Sequence, residues 1–290
     1  MSFIPPPPVP GVRMPLDDAI RWMRSRPEYA NTVRDAYLGP DLEDSARRFA
    51  ASGEFAAVRA LLDGRIRGAR VLDLGAGTGI ASHAFIQAGA VEVVAVEPDA
   101  SELVGRGALR RLCAGLPVQV TGDGAEKLSV ATASVDLIYA RQVLHHLRDL
   151  DGALRECARV LRPGGIFLAC REHVVDDEAQ LHRFLAAHPT HRLAGGEHAF
   201  SAPTYRHAIT AAGLRLQSEL GPWDSVINAF PFVANDTELA GYARSALGRR
   251  LGSAGMAIAR LPGVESAVWF WLRRPRPGRM HTYLAGKPLA

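Results

Sequence analysis

The chain has 290 residues, 48% of them apolar and 22% charged, with a formal net charge of +4. That length allows one large domain or a domain with an attached cap, and the composition is that of a globular protein able to bury a core, which excludes a fibrous or wholly disordered chain. No apolar run is long enough to span a bilayer, and the three cysteines, Cys113, Cys157 and Cys170, lack Cys-x-x-Cys spacing, which argues against a disulfide framework or a zinc-thiolate site and favours a reducing cytoplasm.

From the N-terminus, residues 1–12 read as a proline-rich extended tail without the basic and apolar regions of a signal peptide. Residues 13–68 read as helices with short breaks. Asp41–Phe49 and Glu54–Leu62 both place apolar residues at helical spacing.

Val71–Gly79, Val-Leu-Asp-Leu-Gly-Ala-Gly-Thr-Gly, then reads as a buried strand, a glycine-rich turn and the start of a helix. Gly75, Gly77 and Gly79 let the backbone bend tightly and approach a ligand where a Cβ would collide, with Ala76 between them. The spacing departs from the dinucleotide fingerprint, whose last position is occupied here by Ile80, and no Lys stands where a P-loop needs one. Asp73, just before the glycines, would repel a pyrophosphate and suits a ligand with an amino group and a sulfonium. At these residues the chain resembles the class I S-adenosylmethionine-dependent methyltransferases, whose first motif is an acidic strand end followed by G-x-G-x-G.

The next strand, Val93–Val96, ends in Glu97-Pro98-Asp99. Glu97 lies roughly 20 residues past the glycines, the distance expected of the acid that accepts hydrogen bonds from ribose hydroxyls, with Pro98 beside it. After a third strand near Val118, the resemblance implies an acid facing the adenine amino group. Asp123 matches it better than Glu126, and Gly124 and Ala125 supply backbone contacts to the ring. Many members of the family also carry a helical lid before the first strand, the role expected of residues 13–68.

Ser134–Leu147 reads as a short strand, a turn and a helix carrying His145 and His146, while Ala158–Cys170 reads as a helix stopped by Pro-Gly-Gly and a new strand. Both segments resemble the ubiquinone/menaquinone-biosynthesis type of small-molecule methyltransferase. Arg141 is a candidate for the methionine carboxylate of S-adenosylmethionine. Ligands in open α/β sheets bind at the carboxyl ends of the strands, so Arg171-Glu172-His173, directly after the fifth strand, should project into the crevice. His173 is the first candidate for a general base, followed by His145 and His146; His198, Trp223 and Asn228 are weaker candidates for acceptor contacts.

Beyond the fifth strand come a helix near Asp176–Leu185, a loop through Gly195-Gly-Glu-His198, a helix near Pro203–Ala212, and alternating strands at Leu214–Leu220 and Met280–Ala285. The stretch 221–279 between these strands is too long for a turn and reads as an inserted helical cap, with helices near 236–250 and 263–274. Between Gly241 and Met280 it holds eight arginines against one acid, Glu265, which suits a solvated face, an anionic acceptor or an anionic membrane surface. Trp269-Phe-Trp-Leu272 beside Arg273 reads as aromatic packing of the cap or as a membrane-surface anchor.

The expected fold is therefore an α/β, doubly wound Rossmann-like sheet of seven strands, parallel with one antiparallel strand, with a helical N-terminal segment (13–68), a cofactor core (69–220), a helical insertion (221–279) and a last strand in 280–290. The expected activity is methyl transfer from S-adenosylmethionine to a small-molecule acceptor, which the basic cap allows to be anionic, by preference a saccharide-like or natural-product hydroxyl, with no metal and no nucleic acid. An inactive cofactor-binding partner subunit and a nucleic-acid methyltransferase are the alternatives. The Asp/Asn-Pro-Pro-Tyr/Phe group of exocyclic-amine base methyltransferases is missing after the fourth strand, and Cys170 lacks the surroundings of a cytosine-C5 nucleophile.

Overall fold

The computed structural model describes residues 12–289; the proline-rich tail, apart from Val12, lies outside the described residues. Helices α1 (Leu16–Arg24), α2 (Ala30–Asp35), α3 (Leu42–Ala50) and α4 (Gly53–Leu61) precede β1 (Arg70–Leu74). Then follow α5 (Ile80–Gln87), β2 (Glu92–Val96), α6 (Arg106–Leu112), β3 (Val118–Thr121), β4 (Val135–Arg141), α7 (Leu150–Val160) and β5 (Leu161–Val174). The chain continues through α8 (Glu178–Ala187), α9 (Pro189–Leu193), α10 (Ala202–Ala211), β6 (Arg215–Leu220), α11 (Val226–Ala229), α12 (Asp236–Ile258), α13 (Val264–Leu272) and β7 (Arg279–Gly286).

The strands form one sheet in the order β3-β2-β1-β4-β5-β7-β6. The first five strands run parallel, and β7 is antiparallel to both β5 and β6. This is the seven-stranded arrangement read from the alternation of strand and helix patterns. The order reverses between β1 and β4, which opens a crevice at the carboxyl ends of these two strands.

Both faces of the sheet are covered, so β1 and β4 are buried along nearly their whole length. On one face Leu72, Leu74, Ile138 and Phe167 pack against α7 and α10. On the other, Val71, Leu137 and Tyr139 pack against α3, α4 and α5. There an aromatic ladder, edge-to-face except for the tilted Phe49–Phe55 pair, links Tyr37, Phe49, Phe55, Phe85 and Tyr139, with successive ring centroids 5.0 to 5.5 Å apart. Each such pair contributes about 0.5–1.5 kcal/mol beyond its area. The helices α3 and α4 are thus part of the central core. α1, whose own cluster centres on Ile20, Trp22 and Met23, brings Leu16 to the crevice.

The insertion holds three helices, α11 to α13, among the described residues. α12 runs past the expected end near residue 250 but is broken at Gly252, which has non-helical angles (φ 60°, ψ −141°). Trp223 stacks on Tyr242 at 4.4 Å and meets Trp269 edge-on at 6.4 Å, so this part of the aromatic group packs the cap. Phe270 and Trp271 remain 69% and 42% exposed beside Arg274 and Arg276. Among the described residues no helix is long and apolar enough to cross a membrane.

Candidate active site

A cavity of about 550 Å³ opens at the switch between β1 and β4, lined by Leu74, Gly75, Val96, Glu97, Pro98, Asp99, Asp123, Gly124 and Ala125 on one side. Leu16 of α1 and Gln142, Val143, His146 and Leu147 close it from the other. The volume is in the range of small-molecule and cofactor pockets.

The glycine turn builds the floor. Gly75 has φ +64°, and a Cβ there would stand 2.5 Å from the Val143 side chain. Gly79 has φ +87° at the start of α5, and its Cβ would meet Leu109 at 2.4 Å. Glycine is required at both places by conformation and by space. Glu97 draws the turn toward β2: its Oε2 accepts the Gly77 N–H at 2.7 Å and its Oε1 accepts the Asp99 N–H at 2.8 Å. Burial raises its pKa, and these two amides oppose the shift. Each carboxylate oxygen keeps a further lone pair for a hydroxyl donor. Asp123 is fixed by Ser129, whose N–H and hydroxyl donate to it at 2.8 and 3.0 Å. The hydroxyl of Ser101 bonds Asp17 and ties α1 to the loop after β2.

Asp73 does not meet the cavity. It is 2% exposed and accepts the Ser82 hydroxyl at 2.6 Å. Burial pushes its pKa up to about 7, and the Ser82 hydrogen bond only partly offsets that. Its contribution is to the strand-to-helix joint behind the turn, not a charge offered to a ligand. Ala76, Gly77 and Gly79 likewise shape the turn without lining the cavity.

Arg141 departs furthest from the role suggested for it. Its Nε and Nη2 grip the two oxygens of Glu54 at 2.5 and 3.0 Å, and Glu54 is fully buried. Burial works against this carboxylate's charge, but Arg141 and Arg171 outweigh it and lower its pKa. The guanidinium sits near the Tyr37 and Phe49 rings and does not line the cavity. The pair fastens α4 to the end of β4.

The histidines separate in the same way. His173 does not project into the crevice, because β5 continues past Cys170 and is paired by β7 at Glu172, His173 and Val174. A bulge lies between Ala169 and Glu172, with Arg171 at φ +60°, and His173 packs against the rings of His145, Phe184 and His188. His173 Nδ1 lies 2.8 Å from the Gly278 carbonyl; since a carbonyl only accepts, Nδ1 donates and carries the proton. Burial, then the charge of His145, pulls its pKa down to about 3, far below that of an effective base at neutral pH. His145 and His146 lie on a single 3₁₀ turn, Leu144–His146, where a helix was expected. The cause is Glu172, fully buried, whose oxygens accept the amides of Val143 and His145 at 3.0 and 3.1 Å and pin the chain after Gln142, itself at φ +58°. His145 is 1% exposed; burial opposes its charge, but Glu172 and Glu197 prevail and raise its pKa to about 9. Of the three candidates only His146 borders the cavity.

Glu54, Glu172 and Glu197 were not singled out by sequence reasoning, and only the spacing of Glu172 after the fifth strand hinted at a role. The weaker candidates have structural partners. Asn228 donates to the carbonyls of Leu220 and Gly221 and accepts from Thr282, and His198 packs edge-on against Phe200. Trp223, Asn228 and Phe230 line a second cavity of about 460 Å³ with Arg171, Arg274 and Arg276, separate from the first.

Residues 72–169 match the family described as a methyltransferase domain. The chain is 27% identical over 160 residues to a ubiquinone biosynthesis O-methyltransferase of Rhizobium etli, an alignment covering 54% of this chain and 64% of that protein. It is 33% identical over 153 residues to a tRNA U34 carboxymethyltransferase of Methylococcus capsulatus, covering 52% and 46%. The chain thus spans less than two thirds of the length of these curated relatives. Its fold is that of the geranyl diphosphate methyltransferase solved in complex with S-adenosylmethionine, with a TM-score of 0.55 at 15% identity over 91% of this chain and 94% of the other. The glycine turn, the acid ending β2 and the strand order fit the matched segment, and residues 72–169 resemble the class I S-adenosylmethionine-dependent methyltransferases.

Proposed function

We propose that the protein transfers a methyl group from S-adenosylmethionine to an oxygen of a small molecule, by preference a saccharide-like or natural-product hydroxyl. The observation that carries the reading is the convergence of the Gly75 turn, the Glu97 carboxylate and the Asp123–Ala125 loop on one cavity of about 550 Å³. When bound, the cofactor supplies an activated methyl carbon. Glu97 accepts the ribose hydroxyls with the lone pairs left free by Gly77 and Asp99, and stays oriented because those two amides hold it. Asp123 accepts from the adenine amino group, and Gly124 and Ala125 lie against the ring. Leu16 and α1 cover the ligand and keep water from the reacting atoms. The acceptor enters on the side of Gln142, His146 and Leu147, opposite Glu97. The Rhizobium relative bears an O-methyltransferase name, which supports an oxygen acceptor; the basic cap supports an anionic one.

Isothermal calorimetry with S-adenosylmethionine and its demethylated product tests the reading. Wild-type protein is expected to bind both, and Glu97→Ala to weaken binding by about 100-fold while the fold survives, since two hydrogen bonds to a charged group are lost. Equal affinity in the variant removes the ribose assignment. Binding without turnover on a broad hydroxyl panel would instead support an inactive partner subunit.

A further inference from the structure

We infer that His145, His146 and Glu197 form a divalent-metal site of the zinc class at the edge of the cofactor cavity. The ligand atoms of these three residues all lie within 4.8 Å of one another. The Nδ1 of His146 faces the Gly196 carbonyl at 3.2 Å; a carbonyl only accepts, so Nδ1 carries the proton and Nε2 presents a lone pair. The Nδ1 of His145 contacts Glu172 at 2.8 Å, the carboxylate–histidine pairing that orients a metal ligand and frees its Nε2. Both Nε2 atoms approach the same oxygen, Glu197 Oε2, at 3.4 and 3.7 Å. That oxygen is buried, the side chain is 8% exposed, and among the described residues it has no hydrogen-bond partner.

The two ring nitrogens and the carboxylate oxygen therefore converge on one point, and a metal ion bound there would displace the proton carried by His145 Nε2. Donors set tetrahedrally about 2.0–2.1 Å from one ion stand about 3.3 Å apart, close to the two separations seen. Two imidazoles and a carboxylate suit a borderline first-row ion and leave a fourth position for water or an acceptor oxygen. His188 is not counted, because its Nδ1 accepts the His191 amide at 3.4 Å. The ligands come from the turn after β4 and the loop after α9, so an ion would fasten that loop to the cavity wall. His146 would then be a ligand, and the ion, not a free imidazole, would face an acceptor oxygen. The site is read without cofactor or acceptor, so its failure and that of the methyl-transfer reading are distinguishable.

The test is Zn²⁺ titration of chelator-stripped full-length protein in competition with a chromophoric chelator, with Co²⁺ as a spectroscopic stand-in and thermal melting as a second readout. Wild type is expected to take up one equivalent and to melt at a higher temperature with Zn²⁺. Glu197→Gln and the half-exposed His146→Ala are each expected to lose at least 100-fold in affinity and the melting shift. His182→Ala, at an exposed histidine outside the cluster, is expected to behave as wild type. Absence of a stoichiometric equivalent, unchanged affinity in Glu197→Gln, or equal loss in His182→Ala overturns the assignment.

Discussion

The two sides of the cavity are built on different principles. On the Glu97 side, each contact comes from a residue at or just beyond the end of its own strand: Gly75 after β1, Glu97 after β2, Asp123 after β3. On the histidine side, every group depends on a partner far away in the chain. Glu172 holds a turn 27 residues earlier, and Glu197 comes from a loop some 50 residues beyond the histidines it meets. Local geometry can be read from spacing; a site assembled by long-range packing cannot.

Three substitutions sharpen or break this contrast. The largest effect is expected of Arg141→Met. It leaves the fully buried Glu54 without its bidentate partner, which costs about 3–5 kcal/mol, measured by urea unfolding. The folded fraction should bind S-adenosylmethionine as wild type does; a selective loss of cofactor affinity at unchanged stability would return Arg141 to the binding site.

Asp73 gives the second. Its folded pKa of about 7 exceeds the ordinary value of 3.8. Between those values the folded protein keeps a proton that the unfolded chain has released, so this group's contribution to stability falls as pH rises from about 4 to 7 and is lowest above 7. Asp73→Asn removes that slope. Relative to wild type the variant should gain on the order of 3 kcal/mol between pH 4 and pH 8 in the cofactor-free protein. A difference between the two proteins that is the same at both pH values would mean that Asp73 ionises freely.

The smallest effect is expected of Leu16→Ala. Losing part of one apolar contact from α1 should weaken cofactor binding by about 1 kcal/mol, roughly fivefold, without altering the melting temperature by more than a few degrees. No change in affinity would show that α1 does not cover the bound ligand.

Much of the fold was legible. The seven strands, the long insertion and the N-terminal helices all announce themselves through periodicity and glycine stops, and the structure adds the caps, such as Asp41 on α3 and Ser52 on α4. The misplacements have specific causes. His173 was expected in the crevice because Arg171-Glu172-His173 directly follows the fifth strand, but pairing with β7 from more than 100 residues away extends the strand through it. Arg141 was expected at the ligand because it follows β4, and its partner Glu54 sits 87 residues earlier on α4.

From the order of residues alone came the cofactor class, the glycine turn and the acid ending β2, since backbone conformation and strand length are local properties. Which charges face the cavity and which are spent inside the protein was decided only in three dimensions. The burial that sets the state of Asp73 and His173, and the carboxylates that keep Arg141 and His145 charged against burial, are supplied by segments with no fixed spacing from them.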